Sequence, residues 1–136
     1  MGYRSEVKLV AVMETAANID EVLAHYQMLP DVIKHGLLKK WRRVDRETFS
    51  ALIFEGDNIK WYDSYEDVEA LRGMEEVLVA FNENRQMAYA WCETRIGEEY
   101  DDAVYDVRFS EEPSGDDLAE VIYDSVNLIR KIELSL

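Results

Sequence analysis

The chain has one cysteine, Cys92, in 136 residues, so it can form no internal disulfide and nothing in it calls for an oxidising compartment. It has two histidines, ten residues apart at His25 and His35, outside the HxxxH and HExxH spacings that place two imidazoles on one metal. The six glycines are scattered, mostly at breaks in the apolar pattern, so there is no phosphate-cradling loop, and GxSxG and CxxC are missing too. No apolar run approaches the ~18 residues of a membrane helix. No basic stretch followed by an apolar one opens the chain, so a secretory signal is not expected and a cytoplasmic location is. These absences argue against an enzyme with a familiar catalytic constellation, and no cofactor is expected.

Enough apolar material remains to build a core. Hydrophobic residues are 48% of the chain and aromatics 11%, which sets it apart from disordered acidic sequences. At this length a single domain, 1–136, buries roughly two-thirds of its unfolded surface without a staple. Val7–Met13 is apolar except at Lys8, as in a strand covered on both faces. Asn18 with Glu21 predicts a helix N-cap pair, after which Val22, Leu23, Tyr26 and Leu29 recur with helical spacing. Pro30 starts a new turn that Gly36 stops, and Leu38–Val44 leads into a strand.

Thr48–Phe54 reads as a strand, Gly56-Asp57-Asn58 as a hairpin turn, and Ile59–Tyr62 as its short return. Ser64 with Asp67 predicts the next helix start, and Val68, Leu71, Met74, Leu78 and Phe81 form one face of that helix. Met87–Ile96 is a strand with Met87, Tyr89 and Trp91 on one face and Ala88, Ala90 and Cys92 on the other. Ala103–Phe109 pairs back to it, Pro113-Ser114-Gly115 breaks the chain, and Asp116–Tyr123 forms a short acidic helix. The alternation from Val126 to Leu134 predicts one terminal strand. The fold class that follows is α+β, a mostly antiparallel sheet with two main helices packed on one face.

Charge is what the chain has in excess. The formal net charge is −14, and it is unevenly spread. Residues 1–46 hold eight Lys/Arg against six Asp/Glu, whereas residues 47–136 hold seven against 23. Six bases, Lys34, Lys39, Lys40, Arg42, Arg43 and Arg46, make a basic island, which is expected to face the acidic segments within the molecule or across a homodimer. From Glu98 to Asp124 there are eleven acids and one base, Arg108.

Candidate chemistry reduces to three places. Cys92, beside Glu93 on a strand, fits a small buried hydrophobe better than a nucleophile, since a neighbouring carboxylate disfavours the thiolate. The run Glu98, Glu99, Asp101 and Asp102 offers oxygen ligands for Ca²⁺ or Mg²⁺, but it lacks the ligand order of a calcium loop, so a solvated hairpin is preferred and no metal is expected. Trp61, Tyr62 and Tyr65 form an aromatic patch around a helix start. It suits burial against the sheet and recognition of a partner alike.

Three blocks, GYRSEV at 2–7, KWYDSYEDV at 60–68 and RIGEEYDD at 95–102, resemble a family of small proteins of tailed bacteriophages and prophages that share a GYRS-like start. The resemblance implies a setting, not an activity, and carries no functional residue with it. Within that setting, the expected function is an acidic binding protein that engages and inhibits a host protein, nucleic-acid-binding or defence-related. It would do so by polyanion mimicry, with carboxylates standing where phosphates would. The expected surface is Glu98, Glu99, Asp101, Asp102, Asp116, Asp117, Trp61, Tyr62 and Tyr65. Charge that only keeps the chain in solution is the plain alternative. Two others are a homo-oligomeric assembly protein using a sheet edge or the aromatic patch, and a carboxylate-based metal or ligand binder. Direct nucleic-acid binding is not expected, since two polyanions repel.

Overall fold

Strand β1 (Ser5–Met13) has both faces buried, and this decides the layering. Val7, Leu9, Ala11 and Met13 enter one core, while Val10 and Val12 enter another on the opposite face. A strand apolar on both sides has to be covered on both sides. The computed structural model describes residues 4–99, 102–128 and 132–136. After β1 come α1 (Ala16–Tyr26), α2 (Pro30–Lys34), β2 (Trp41–Asp45), β3 (Ser50–Ile59) and α3 (Glu66–Arg85). Then follow β4 (Tyr89–Gly97), β5 (Ala103–Phe109), α4 (Asp116–Ser125), β6 (Val126–Leu128) and β7 (Ile132–Leu134).

The main sheet is antiparallel throughout, in the order β2-β3-β1-β4-β5, with β2 and β5 at its edges. This is the α+β architecture read from the sequence. Its first four strands follow the split β-α-β arrangement of ferredoxin-like sheets, a statement about topology alone. The two main helices, α1 and α3, lie on one face, where Ile19, Val22 and Tyr26 meet Val68, Leu71, Met74, Leu78 and Phe81 over Trp41, Phe54 and Trp91. A buried relay ties three elements together: Trp41 Nε1 donates to Tyr26 Oη at 3.2 Å, and Tyr26 Oη donates to Ala70 O at 2.9 Å. The other face is covered by Leu118, Ala119 and Ile122 of α4, with Val126 and Ile132. Gly115 lets α4 settle there, because a Cβ at that position would stand 2.0 Å from Tyr89 O.

Four local expectations are corrected. Gly56-Asp57-Asn58 is not a hairpin turn: β3 runs through it to Ile59, and β1 pairs with β3 on both sides, Val7 with Gly56 and Ser5 with Ile59. The extra residue is a bulge with Asn58 at φ 54°, so left-handed residue chemistry serves a bulge here and not a turn. The α1 cap is Thr15, which accepts from Asn18 N while Asn18 Oδ1 accepts from Thr15 N, a reciprocal box one turn earlier than Asn18-Glu21. Ser64 does not cap α3. The N-cap is Tyr65, without a side-chain bond, and Asp67 Oδ1 accepts from Val68 N. The C-terminal alternation is split into β6 and β7, paired antiparallel, with residues 129–131 between them outside the described residues.

The Thr15 box predicts that Thr15→Ala lowers stability by ~0.5–2 kcal/mol in urea denaturation. Ser64→Ala should leave the midpoint where it is, and a loss at Ser64 equal to that at Thr15 would contradict the assigned caps.

Candidate functional site

One end of the sheet gathers segments far apart in sequence. β1 begins there at Ser5, opposite Ile59 of β3 and Gly97 of β4, and Ile96 faces Ala103 of β5. Three segments distant in the sequence therefore converge: the chain from Arg4, the stretch after β3 and the β4–β5 turn. Arg4 joins them, its backbone N–H donating to Glu98 Oε1 at 2.6 Å and its Nη1 to Asn58 O at 3.4 Å. The β4–β5 turn is closed by Gly97 N to Asp102 O at 2.8 Å and Asp102 N to Glu99 O at 3.1 Å. Arg95 spans the same turn and reaches both Asp102 oxygens at 3.1 and 3.2 Å. Asp101 lies outside the described residues. Glu98 is thus held by a backbone N–H and Asp102 by the Arg95 guanidinium.

The aromatic block divides. Trp61 is buried, stacked on Phe54 at 6.1 Å, with the Arg72 guanidinium 5.4 Å from its ring centroid. Its indole N–H is buried with no acceptor among the described residues. Arg72 also makes a two-bond fork to Glu93 at 2.7 and 2.8 Å and reaches Asp63 at 2.6 Å, fastening the segment after β3 onto α3. That guanidinium holds the Asp63 carboxyl below its usual range. Tyr62 and Tyr65 meet edge-on at 5.1 Å, and Tyr65 is exposed. A cleft of about 410 Å³ opens between the end of β3 and the start of α3.

Asp116 and Asp117 are elsewhere. They begin α4, whose cap Gly115 donates its N–H to Ser110 O beside Tyr89, the first residue of β4. The nine residues of β4 separate that end from the acidic turn by roughly 27 Å. The structure so divides the expected surface in two. It also reveals what the sequence reading did not single out: Asp116, Glu120 and Asp124 recur every fourth residue on α4, and Glu111 and Glu112 precede them. All five are exposed, as is Asp117, and their carboxylates have no hydrogen bond or ion pair among the described residues. The 3.6-residue period was a signal available in the sequence.

Elsewhere many carboxylates are paired locally, while Glu14, Glu47, Asp57, Glu69, Glu76 and Glu83 are exposed and have no ion pair among the described residues. Arg43 holds Asp20 at 2.6 Å and Asp45 at 2.9 Å, Arg42 holds Glu55 at 2.7 Å together with Lys8, and Lys34 holds Glu66 at 2.7 Å. Arg108 holds Glu75 at 3.4 Å and Asp106 at 2.8 Å. The basic island accordingly pairs with acids of α1, β2, β3 and α3, not with the stretch from Glu98 to Asp124, while Arg46 donates to Leu136 O at 2.8 Å. Lys39 and Lys40 have no ion pair among the described residues. Among the described residues no group of three or more His, Cys, Asp or Glu is placed to hold a metal ion, and no helix is long and apolar enough to cross a membrane.

No family model, curated protein or solved structure matches this chain.

Cys92 is fully buried in the α4-side core, and burial, with Asp106 and Glu93 nearby, pushes its thiol from the usual 9.0 up to about 12. Burial likewise raises Tyr26 from 10.0 to about 12 against the opposing bond from Trp41. In both cases the folded state keeps its proton to higher pH than the unfolded chain, so this stability is complete below pH about 9 and is lost as pH climbs towards 12. The urea midpoint should fall across that window, less steeply for Cys92→Ala. Iodoacetamide at pH 8 should label Cys92 only as urea unfolds the protein, and rapid labelling of the native state would contradict the burial.

Proposed function

We propose that this chain is a non-enzymatic, phage-type binding protein that engages and inhibits a host protein by presenting the carboxylates of α4 to a basic, nucleic-acid-binding surface. One observation carries this reading: Glu111, Glu112, Asp116, Asp117, Glu120 and Asp124 are gathered on α4 and its preceding turn, all exposed and with no ion pair among the described residues. Asp116, Glu120 and Asp124 stand about 6 Å apart along the helix, a row of charges that can meet a row of Lys/Arg. Tyr123 on α4 and Tyr105 on the adjacent β5 are exposed beside them and supply the aromatic contacts typical of protein interfaces.

The arrangement carries a cost within the fold. Like charges four residues apart destabilise a helix by ~0.2–0.5 kcal/mol per pair, and Asp124 also sits at the negative end of the α4 dipole. Charge that served dispersal alone could be placed where it costs nothing. Host identity and cytoplasmic action belong to the same proposal and rest on the phage resemblance.

The test separates stability from binding. Glu120→Gln with Asp124→Asn should leave the fold as stable as wild type or more so in urea. Adding Asp116→Asn and Asp117→Asn should abolish capture of the host partner from bacterial lysate. For the captured partner, wild-type affinity should fall steeply between 50 and 200 mM salt, since exposed charges are screened over ~10 Å at 0.1 M. Double-stranded DNA should compete for that partner. Equal capture by the four-site variant, or a flat salt response, would overturn the reading.

A further inference from the structure

The cleft at the sheet end where the three segments meet has a polarity opposite to that of the whole molecule. Its volume is about 410 Å³, within the ~300–1,000 Å³ of small-molecule sites. Phe54, Ile59, Trp61 and Leu71 give it an apolar floor. Its rim carries Arg4, Lys40 and Lys60 against two acids, Glu55 and Asp67. Glu55 is already matched by Lys8 and Arg42, which hold its carboxyl below the usual range, and Asp67 accepts from Val68 N. Among the described residues the Lys40 and Lys60 ammonium groups have no ion pair or hydrogen bond, and the Arg4 guanidinium has no carboxylate. In a chain of net charge −14, unpaired cations on an apolar cleft stand against the prevailing sign.

The twenty-residue α3 begins at this cleft with Glu66, Asp67 and Glu69 in its first turn, so the positive end of its dipole is met by carboxylates of the chain, and the cations left for an occupant are Arg4, Lys40 and Lys60. Trp61 in the wall is only 8% exposed, and its indole N–H is orphaned among the described residues.

We propose that this cleft binds a small organic anion, an apolar body of one or two rings carrying a carboxylate or phosphate. The apolar body lies over Phe54, Ile59 and Leu71, and the anionic group faces Arg4, Lys40 and Lys60 at the start of α3. The proposal stands apart from the α4 surface and does not rest on it. The bulge at Asn58 shapes the site, since it carries Ile59 back under the cleft and offers Asn58 O to Arg4.

The probe is naphthalene-2-carboxylate, with 2-naphthyl phosphate as a second anion and naphthalene-2-methanol as the neutral match, titrated into the full chain and followed by two-dimensional ¹H–¹⁵N NMR. Saturable shifts at residues 54–61 and at the Trp61 indole N–H are expected with either anion, and the tighter of the two names the headgroup. The alcohol should bind at least about tenfold more weakly, and Lys40→Gln with Lys60→Gln should weaken anion binding about tenfold or more. Both lysines are unpaired, so this variant should keep the dispersed spectrum of the folded protein. Equal binding of the alcohol, undiminished anion binding by the folded double variant, or shifts gathered away from residues 54–61 would overturn the proposal.

Discussion

Burial of β1 on both faces is the constraint from which the rest of the structure follows. A strand with Val7, Leu9, Ala11 and Met13 on one side and Val10 and Val12 on the other cannot lie at an edge or face water. It takes antiparallel partners on both sides, and each face needs its own cover. The first cover is α1 and α3 with their aromatic cluster, and the second is α4 with the short C-terminal strands. Even Lys8, the polar exception, is drawn into an ion pair with Glu55 on the neighbouring strand. Because β1, β3, β4 and β5 have a terminus at one common end, three stretches distant along the chain become neighbours. Centrality of one strand thus creates the cleft.

Legibility in the sequence followed the range of the interactions. Helix α3 was readable from Val68, Leu71, Met74, Leu78 and Phe81, because a single period governs them and all are buried as that period requires. The two faces of β4 were readable for the same reason, with Tyr89 and Trp91 in one core and Ala88, Ala90 and Cys92 in the other. The bulge was not, since glycine and asparagine serve turns and bulges equally and only the pairing of Ser5 with Ile59 decides between them. The helix starts were blurred, by one turn at α1 and by one residue at α3, because Thr15, Asn18, Ser64 and Asp67 are all competent caps and backbone geometry chooses. The commitment of Glu98 to Arg4, 94 residues away, has no local signature. Hence a turn that reads as the densest acidic site is partly neutralised, while α4, less dense in sequence, keeps its charge.

Sorting of charge by the fold also changes what the net charge means. Most Arg side chains are spent inside the molecule, several gripping two carboxylates at once, as Arg43, Arg72 and Arg108 do. Arginine suits this because its planar fork presents several donors in fixed directions. Among the described residues the lysines at 39, 40 and 60 are left over, and so are the acids of α4 and its preceding turn together with scattered ones such as Glu14, Glu47, Asp57 and Glu83. Net charge is a sum, whereas a partner meets only this remainder.

The two edge strands carry one more consequence. β2 presents Arg42, Arg43 and Asp45 to the outside, and β5 presents Arg108 and the half-buried Asp106. A strand from another molecule laid along either margin would have to bring its own side chains against these charges and break the ion pairs they hold. The β2 margin is thereby guarded by charge against strand addition, whereas the β5 margin, with Tyr105 and Phe109 exposed beside Arg108, is guarded less, so the two edges of one sheet differ in how readily they would accept a further strand.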